Sequence, residues 1–141
     1  MKVRIQRIKK DIEMVKYAHD GDAAFDLRSS EDMELSAGGK IIVPTAIKMA
    51  IPEGFAGLIW DRSGLAANSS LHCLAGVVDS GYRGEVKVVL INLSKHDMYI
   101  KKGMRIAQMI IQKVESPILE EVESLDDTKR TDGGFGSTGL H

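Results

Sequence analysis

Four short segments of the chain carry side chains suited to a phosphorylated ligand. The first is Gly76-Val77-Val78-Asp79-Ser80-Gly81-Tyr82-Arg83-Gly84-Glu85, where glycines bracket an Asp and a Tyr between two apolar stretches. This pattern predicts a hairpin with a polar tip. Backbone N–H and C=O groups left unpaired there can read the edge of a base, Tyr82 can stack on a sugar, and Asp79 can accept a proton. An ordinary β-turn begun by Asp79 fits the same residues. The second is Asp61-Arg62-Ser63-Gly64-Leu65-Ala66. A cation, a hydroxyl and a glycine where a strand gives way to a helical turn offer phosphate oxygens charge-assisted bonds and free N–H groups. The competing reading has Ser63 capping that turn and Arg62 paired with a carboxylate.

The third segment, Gly103-Met104-Arg105-Ile106-Ala107-Gln108, turns into a strand whose Gln108 can donate an amide hydrogen to phosphate. In the fourth, Asp22-Ala23-Ala24-Phe25-Asp26-Leu27, Asp26 stands between apolar neighbours and so demands a partner. That partner is either a hydrated Mg²⁺, an ion that keeps several waters and takes few protein carboxylates, or a structural salt bridge. A fifth stretch, Gly134-Phe135-Gly136-Ser137-Thr138-Gly139, formally matches the dinucleotide fingerprint G-x-G-x-x-G, which requires a helix to follow. Only two residues follow it here. Arg130 and Phe135 in such a stretch instead suggest a clamp, with a cation for phosphate, a ring for a base and glycines for close approach. Ordering this tail costs on the order of 10 kcal/mol at ~1–2 kcal/mol per residue. Stacking one base returns only roughly 1–3 kcal/mol, so closure should need the whole ligand, phosphates included.

The elements that must hold these segments read as short strands. Val3 and Ile5 alternate with Arg4 and Gln6 at the period of a half-buried strand. Residues 41–43, 47–51, 55–60, 85–93 and 105–114 form further short runs, most of them β-branched, although 105–114 does not separate strand from helix by periodicity. Turn chemistry at Ala37-Gly38-Gly39, Pro52-Glu53-Gly54, Ser80-Gly81 and Lys101-Lys102-Gly103 divides them. Residues 65–68 are expected to form one helical turn, and no long helix is expected. Many short strands at close spacing predict an all-β sandwich or jelly roll.

With 141 residues and 43% hydrophobic content the chain suffices for one core. The composition turns acidic, then basic, then glycine-rich, so a body over 1–124 and a mobile tail over 125–141 are expected. Nineteen basic against twenty acidic residues leave a formal charge of −1. That excludes the broad basic field of a nonspecific nucleic-acid binder, and any anion site must be local. The lone Cys73 excludes an internal disulfide and a cysteine-paired zinc cluster, and is expected to be a buried thiol. No run approaches the roughly 20 apolar residues of a membrane span, and the first ten residues lack a signal-peptide core. A soluble intracellular protein, of cytoplasm or nucleus, is expected. His19, His72, His96 and His141 show no metal-ligand spacing and are assigned to surface or packing roles. Trp60 is assigned to the core or a subunit interface, and the methionines at 33, 49, 98, 104 and 109 to the core.

Taken in order, these segments closely resemble the five-motif pattern of the trimeric dUTP nucleotidohydrolases, the dUTPases, from about Asp22 to Gly139. Gly76-Val77-Val78-Asp79 with Tyr82-Arg83-Gly84, Arg105-Ile106-Ala107-Gln108, and Gly133-Gly134-Phe135-Gly136-Ser137-Thr138-Gly139 carry the likeness. The resemblance implies a jelly-roll (β-clip) homotrimer whose active sites lie at subunit boundaries, and hydrolysis of dUTP to dUMP and pyrophosphate with Mg²⁺. By that likeness the hairpin containing Gly76 and Val78 reads uracil, Tyr82 packs on deoxyribose, and Asp79 bonds the 3′-hydroxyl and orients the attacking water. Asp26 stands near the metal through water. Arg62, Ser63, Gly64 and Gln108 bind the phosphate chain. The tail closes with Phe135, Gly136 and Ser137 over the nucleotide and Arg130 on the γ-phosphate.

The chain departs from the family pattern at Ala24 (often Gly), Asp61 (commonly Pro or Gly), Asn68 (frequently Lys), Met104 (usually an acid) and Thr131-Asp132 (usually small residues). Asp61 and Asn68 are expected to lower positive charge beside a polyphosphate site. Two other functions remain open: a dCTP deaminase of the same fold, which the Arg62-Ser63-Gly64-Leu65-Ala66 segment and the tail oppose, and a nonenzymatic nucleotide-sensing regulator. A zinc deaminase is excluded, because its H-x-E and P-C-x-x-C pattern is absent.

Overall fold

Strand β8 (Glu85–Asn92) shows how the sequence period becomes architecture. Val86, Val88, Leu90 and Asn92 are buried on one side, while the residues between them are half-buried or exposed. Around it, the regular elements of the computed structural model, which describes residues 1–128, are antiparallel strands with one short helix. The elements are β1 (Arg4–Arg7), β2 (Phe25–Arg28), β3 (Met33–Leu35), β4 (Lys40–Ala50), β5 (Phe55–Trp60), α1 (Ser63–Ser69), β6 (Leu71–Leu74), β7 (Val77–Val78), β8, β9 (Met98–Ile100) and β10 (Arg105–Lys113). One sheet runs β1-β4-β8-β6, a second β2-β10-β5-β7, and β3 pairs with β9 as a ribbon. Leu27, Met109 and Ile106 from the second sheet, Val43, Val88 and Leu90 from the first, and Leu35 and Ile100 from the ribbon form one buried cluster. The fold is all-β, as the spacing of the short runs predicts.

Several expectations change in detail. The run 41–43 and the run 47–51 as far as Ala50 belong to the one strand β4, which continues through Pro44 with a shift of register between Pro44 and Lys48. Ala46 takes φ +54 at that irregularity, and its N–H is held by Glu85 Oε1 at 2.7 Å. Residues 105–113, ambiguous by period, are strand because β10 lies between β2 and β5 and is paired on both sides. The expected helical turn over 65–68 is a slightly longer helix, α1. Ser63 does not cap it: Arg62 is the N-cap residue, in extended conformation and without a side-chain cap bond. Trp60 is not core, with 57% of its surface exposed. Met49 and Met109 are buried, and Met33, Met98 and Met104 pack against the core from its edge.

Beyond β10, residues 114–128 contain no strand or helix, and Ile118 and Leu119 are almost wholly exposed. No helix among the described residues is long and apolar enough to cross a membrane. The buried side chains of Asn92 and Thr45 are satisfied by hydrogen bonds. The Asn92 amide donates to Leu35 O and His96 O while its oxygen accepts the Ser94 N–H, and Thr45 Oγ1 donates to Val86 O at 2.6 Å. Among the described residues one buried side-chain oxygen lacks a partner, Ser30 Oγ. An unsatisfied buried hydroxyl costs about 1–3 kcal/mol. Ser30→Ala is therefore expected to leave the protein as stable as the wild type or up to about 1 kcal/mol more stable, read from chemical denaturation midpoints.

Candidate active site

The register of three strands assembles a polar cavity. Gln108 on β10 is paired with Asp26 on β2 and, on its other side, with Trp60 at the end of β5. Chain continuity then places Asp61 and Arg62 next to Asp26. Arg62 Nε donates to Asp26 Oδ1 at 2.7 Å, and Arg105 contacts Asp26 Oδ2 at 3.3 Å. The carboxylate that the sequence left without a partner thus has two guanidinium groups. Gln108 Nε2 donates to the Asp61 carbonyl at 2.8 Å. These groups, with Ser63 and Gly64 at the start of α1, line an open cavity of about 630 Å³, whose far wall carries His19 and Asp22. The α1 N–H groups of Leu65 and Ala66 return to Arg62 O. Ser63 and Gly64 precede them, and the first N–H groups of a helix have no partner within it. Two guanidinium groups, a hydroxyl and an amide around one hollow suit an anion with several oxygens.

The Gly76 hairpin lines a second hollow, and between the two an apolar hollow of about 280 Å³ is lined by Trp60 and Asp61 on one side and Gly76 and Val77 on the other. Strand β7 lies along β5, with Gly57 opposite Val78 and Leu58 opposite Val77. Gly76 is required at the close approach: its φ is +138, and a Cβ there would lie 2.8 Å from Ile59 O. The turn is closed by Tyr82 N–H to Asp79 O at 3.1 Å, and Tyr82 Oη donates to Glu85 O at 2.9 Å. The phenol ring thereby folds over Gly84, where any Cβ would collide with it. Gly76, Val78, Asp79 and Tyr82 line a hollow of about 230 Å³ that shares no residue with the larger cavity. The structure therefore brings Asp26, Arg62, Ser63, Gly64 and Gln108 together, and Gly76, Val78, Asp79 and Tyr82 together, but does not join the two groups within one chain. Arg130, Phe135, Gly136 and Ser137 lie outside the described residues.

Sequence reasoning gave no site role to four contributors, Arg105, His19, Asp22 and Asp61. Arg105 stood inside a quoted segment without a role, and its place opposite Arg28, one strand from Asp26, follows only from the β2–β10 register. His19 and Asp22 reach the cavity wall through a loop closed by the His19 N–H to Asp22 Oδ2 bond at 2.8 Å. Asp61 is the fourth. Its carboxylate is engaged by β6, with the Cys73 N–H donating to Oδ1 at 2.6 Å and His72 Nδ1 lying 2.7 Å from Oδ2. The carboxylate therefore keeps its negative charge but directs it at β6. Burial alone would raise the Asp61 carboxyl, but the His72 and Cys73 bonds outweigh it and hold the group below its ordinary value. His72, expected only at the surface or in packing, is thus a partner of Asp61.

Fold and cavity define a class: an all-β protein whose strand ends carry an anion-receptive hollow and a separate glycine-bracketed hairpin. Within that class the chain belongs to the dUTPase family, whose model matches residues 10–139. The chain is 48% identical over 144 residues to a deoxyuridine 5′-triphosphate nucleotidohydrolase of Rhodococcus erythropolis, covering 100% of this chain and 88% of the relative. It is 50% identical to the enzyme of the same description from Mycolicibacterium vanbaalenii, over 97% of this chain and 94% of the relative. Among solved structures it is similar to the dUTPase of Staphylococcus bacteriophage 80alpha with dUpNHpp, with TM-score 0.91 and 27% identity, covering 99% of each chain.

Cys73, buried and free, has no place in either hollow's chemistry. Burial, aided by the Asp61 carboxylate, pushes its thiol up to about 12. The thiolate is the nucleophile, so the folded protein should resist iodoacetamide at pH 8 over hours and react rapidly once unfolded in guanidinium, as followed by mass spectrometry.

Proposed function

We propose that this chain hydrolyses dUTP to dUMP and pyrophosphate as a homotrimer, with each active site assembled across subunit boundaries. The observation that carries the proposal is the separation of the phosphate-type cavity from the Asp79 hairpin within one chain. Each hollow is open and incomplete, and a neighbouring copy supplies what it lacks. In this reading the hairpin of one subunit, with Gly76 and Val78, presents backbone groups to uracil. Tyr82 packs on the deoxyribose and leaves no room for a 2′-hydroxyl. Arg62, Ser63, Gly64 and Gln108 of another subunit hold the phosphate chain. The body over 1–124 carries these groups, and the tail over 125–141 completes the site, with Arg130 on the γ-phosphate and Phe135, Gly136 and Ser137 closing over the base.

Asp79 orients and deprotonates a water that attacks the α-phosphorus, and pyrophosphate departs. The remaining residues position groups and neutralise charge. The donor set around Asp26 fits a Mg²⁺ ion held through water. Both carboxylate oxygens already accept from Arg62 and Arg105, and their remaining lone pairs can accept from metal-bound water. Among the described residues no group of three or more His, Cys, Asp or Glu side chains could hold a metal. When bound, Mg²⁺ would shield the charge of the triphosphate. Specificity for uracil follows because backbone groups matched to it would be left unpaired by cytosine, a steeper penalty than a missing methylene. The substrate belongs to the intracellular nucleotide pool, and this reading assigns the protein to cytoplasm or nucleus, where it limits uracil incorporation into DNA and supplies dUMP for thymidylate synthesis. Neither stable nucleic-acid binding nor membrane binding is part of it.

The test is pyrophosphate release from dUTP, dCTP, dTTP and UTP with Mg²⁺, for the full chain and for one ending at Lys129. Release confined to dUTP and largely lost on truncation is expected. Ammonia from dCTP in the same samples would instead show a deaminase, and dUTP binding without release a nucleotide sensor. A general base contributes about 10²- to 10⁴-fold. Asp79→Asn should lose turnover on that scale while still binding a nonhydrolysable dUTP analogue, and near-wild-type turnover would refute the role.

A further inference from the structure

Three elements meet on Asp61. It joins the end of β5 to α1, its Oδ1 accepts the Cys73 N–H at 2.6 Å, and its Oδ2 lies 2.7 Å from His72 Nδ1 at the second position of β6. Its carbonyl accepts the Gln108 amide at 2.8 Å, and the next residue, Arg62, grips Asp26 at 2.7 Å. The side chain therefore faces one way, onto β6, while the backbone of the same residue fixes two groups of the anion cavity. The His72 contact is half exposed and weak alone. The bond from the Cys73 N–H to a charged oxygen, at a residue only about a quarter exposed, is the stronger tie.

We infer that Asp61 is a positioning residue: its carboxylate clips the β5–α1 junction onto β6, and so aims Gln108 and Arg62 at the phosphate chain of the ligand. The inference rests on reading the larger cavity as the phosphate end of a dUTP site. Without the clip the junction keeps its tie to β6 only through α1 and Ser70 and to β2 only through the Arg62–Asp26 pair, so the carbonyl that orients Gln108 loses its nearest anchor and can shift. A misplacement near 1 Å can cost on the order of 10²-fold. The loss should fall mainly on ligands with phosphates, because Val78, Asp79 and Tyr82 of the hairpin line a hollow that Asp61 does not reach.

The experiment measures, on the full chain, dissociation constants for inorganic tripolyphosphate, a nonhydrolysable dUTP analogue and deoxyuridine, together with KM and kcat for dUTP. In Asp61→Ala the first two are expected to weaken by about 10-fold or more and deoxyuridine by less than about twofold, with KM rising more than kcat falls. Asp61→Asn keeps an oxygen for the Cys73 N–H and should restore tripolyphosphate binding to within about threefold of wild type. Should Asp61→Ala not fold, Asp61→Ser, too short to reach both partners, is expected to show the same split. Parallel loss of all three ligands, unchanged tripolyphosphate binding, or an Asn variant as impaired as Ala would each overturn the inference. A wild-type chain that binds tripolyphosphate yet releases no pyrophosphate from dUTP would sink the diphosphatase reading while leaving the role of Asp61 decided by tripolyphosphate alone. Failure of the wild type to bind tripolyphosphate would overturn both.

Discussion

The pairing of β10 between β2 and β5 is the constraint on which the rest of the site depends. Gln108 faces Asp26 on one side and Trp60 on the other, so three strand ends deliver a carboxylate, an amide and a junction loop to one place. Because side chains alternate along a strand, a slip of one residue would send Gln108 and Asp26 to the opposite face and bring apolar neighbours into the cavity. The register is held by the core itself. Leu27, Ile106, Ala107 and Met109 are buried in the strands that carry these polar groups, and a slip would expose them. Packing energy and site geometry are therefore the same property of this sheet.

Charge in the cavity is organised around one carboxylate. Asp26 is only partly exposed and would be costly to bury alone, and Arg62 and Arg105 settle that cost. The arrangement also restrains the guanidinium groups, whose flexible stems would otherwise lose entropy on binding a phosphate. Structural salt bridge and functional site are not alternatives here, because the ion pair that satisfies Asp26 is what holds Arg62 at the rim. Asp61 extends the pattern one residue further, tying the same loop to the other sheet through Cys73 and His72.

The separation of the two hollows has a physical basis in the short strand β7. With two paired residues it adds only a narrow edge to the second sheet, and the glycine at 76 allows the chain to leave β5 sharply at Ile59. The Asp79 turn is thereby held by β5 and β8 rather than by the strand ends that carry Asp26. A single subunit offers two partial surfaces, each lined by groups with unused hydrogen-bonding capacity.

The sequence by itself determined a good deal. Alternation of apolar residues and glycine-marked turns determined an all-β chain, as the period of 85–92 and the fit of 55–60 show, since burying one face of a strand leaves a period of two. Residue types at Asp26, Arg62, Gln108, Asp79 and Tyr82, with their order, determined the family. Strand 105–113 was not legible, because an apolar run fits strand or helix until neighbours pair with it. Nor was the fusion of 41–43 with 47–50 into one strand across Pro44, which depends on Glu85 holding the Ala46 N–H from another strand. Only the tertiary structure decided which charged groups meet. Arg105 with Asp26, and Asp61 with His72 and Cys73, are 79, 11 and 12 residues apart, and no local period encodes such contacts. Register between strands places them, and register is settled by the whole core at once.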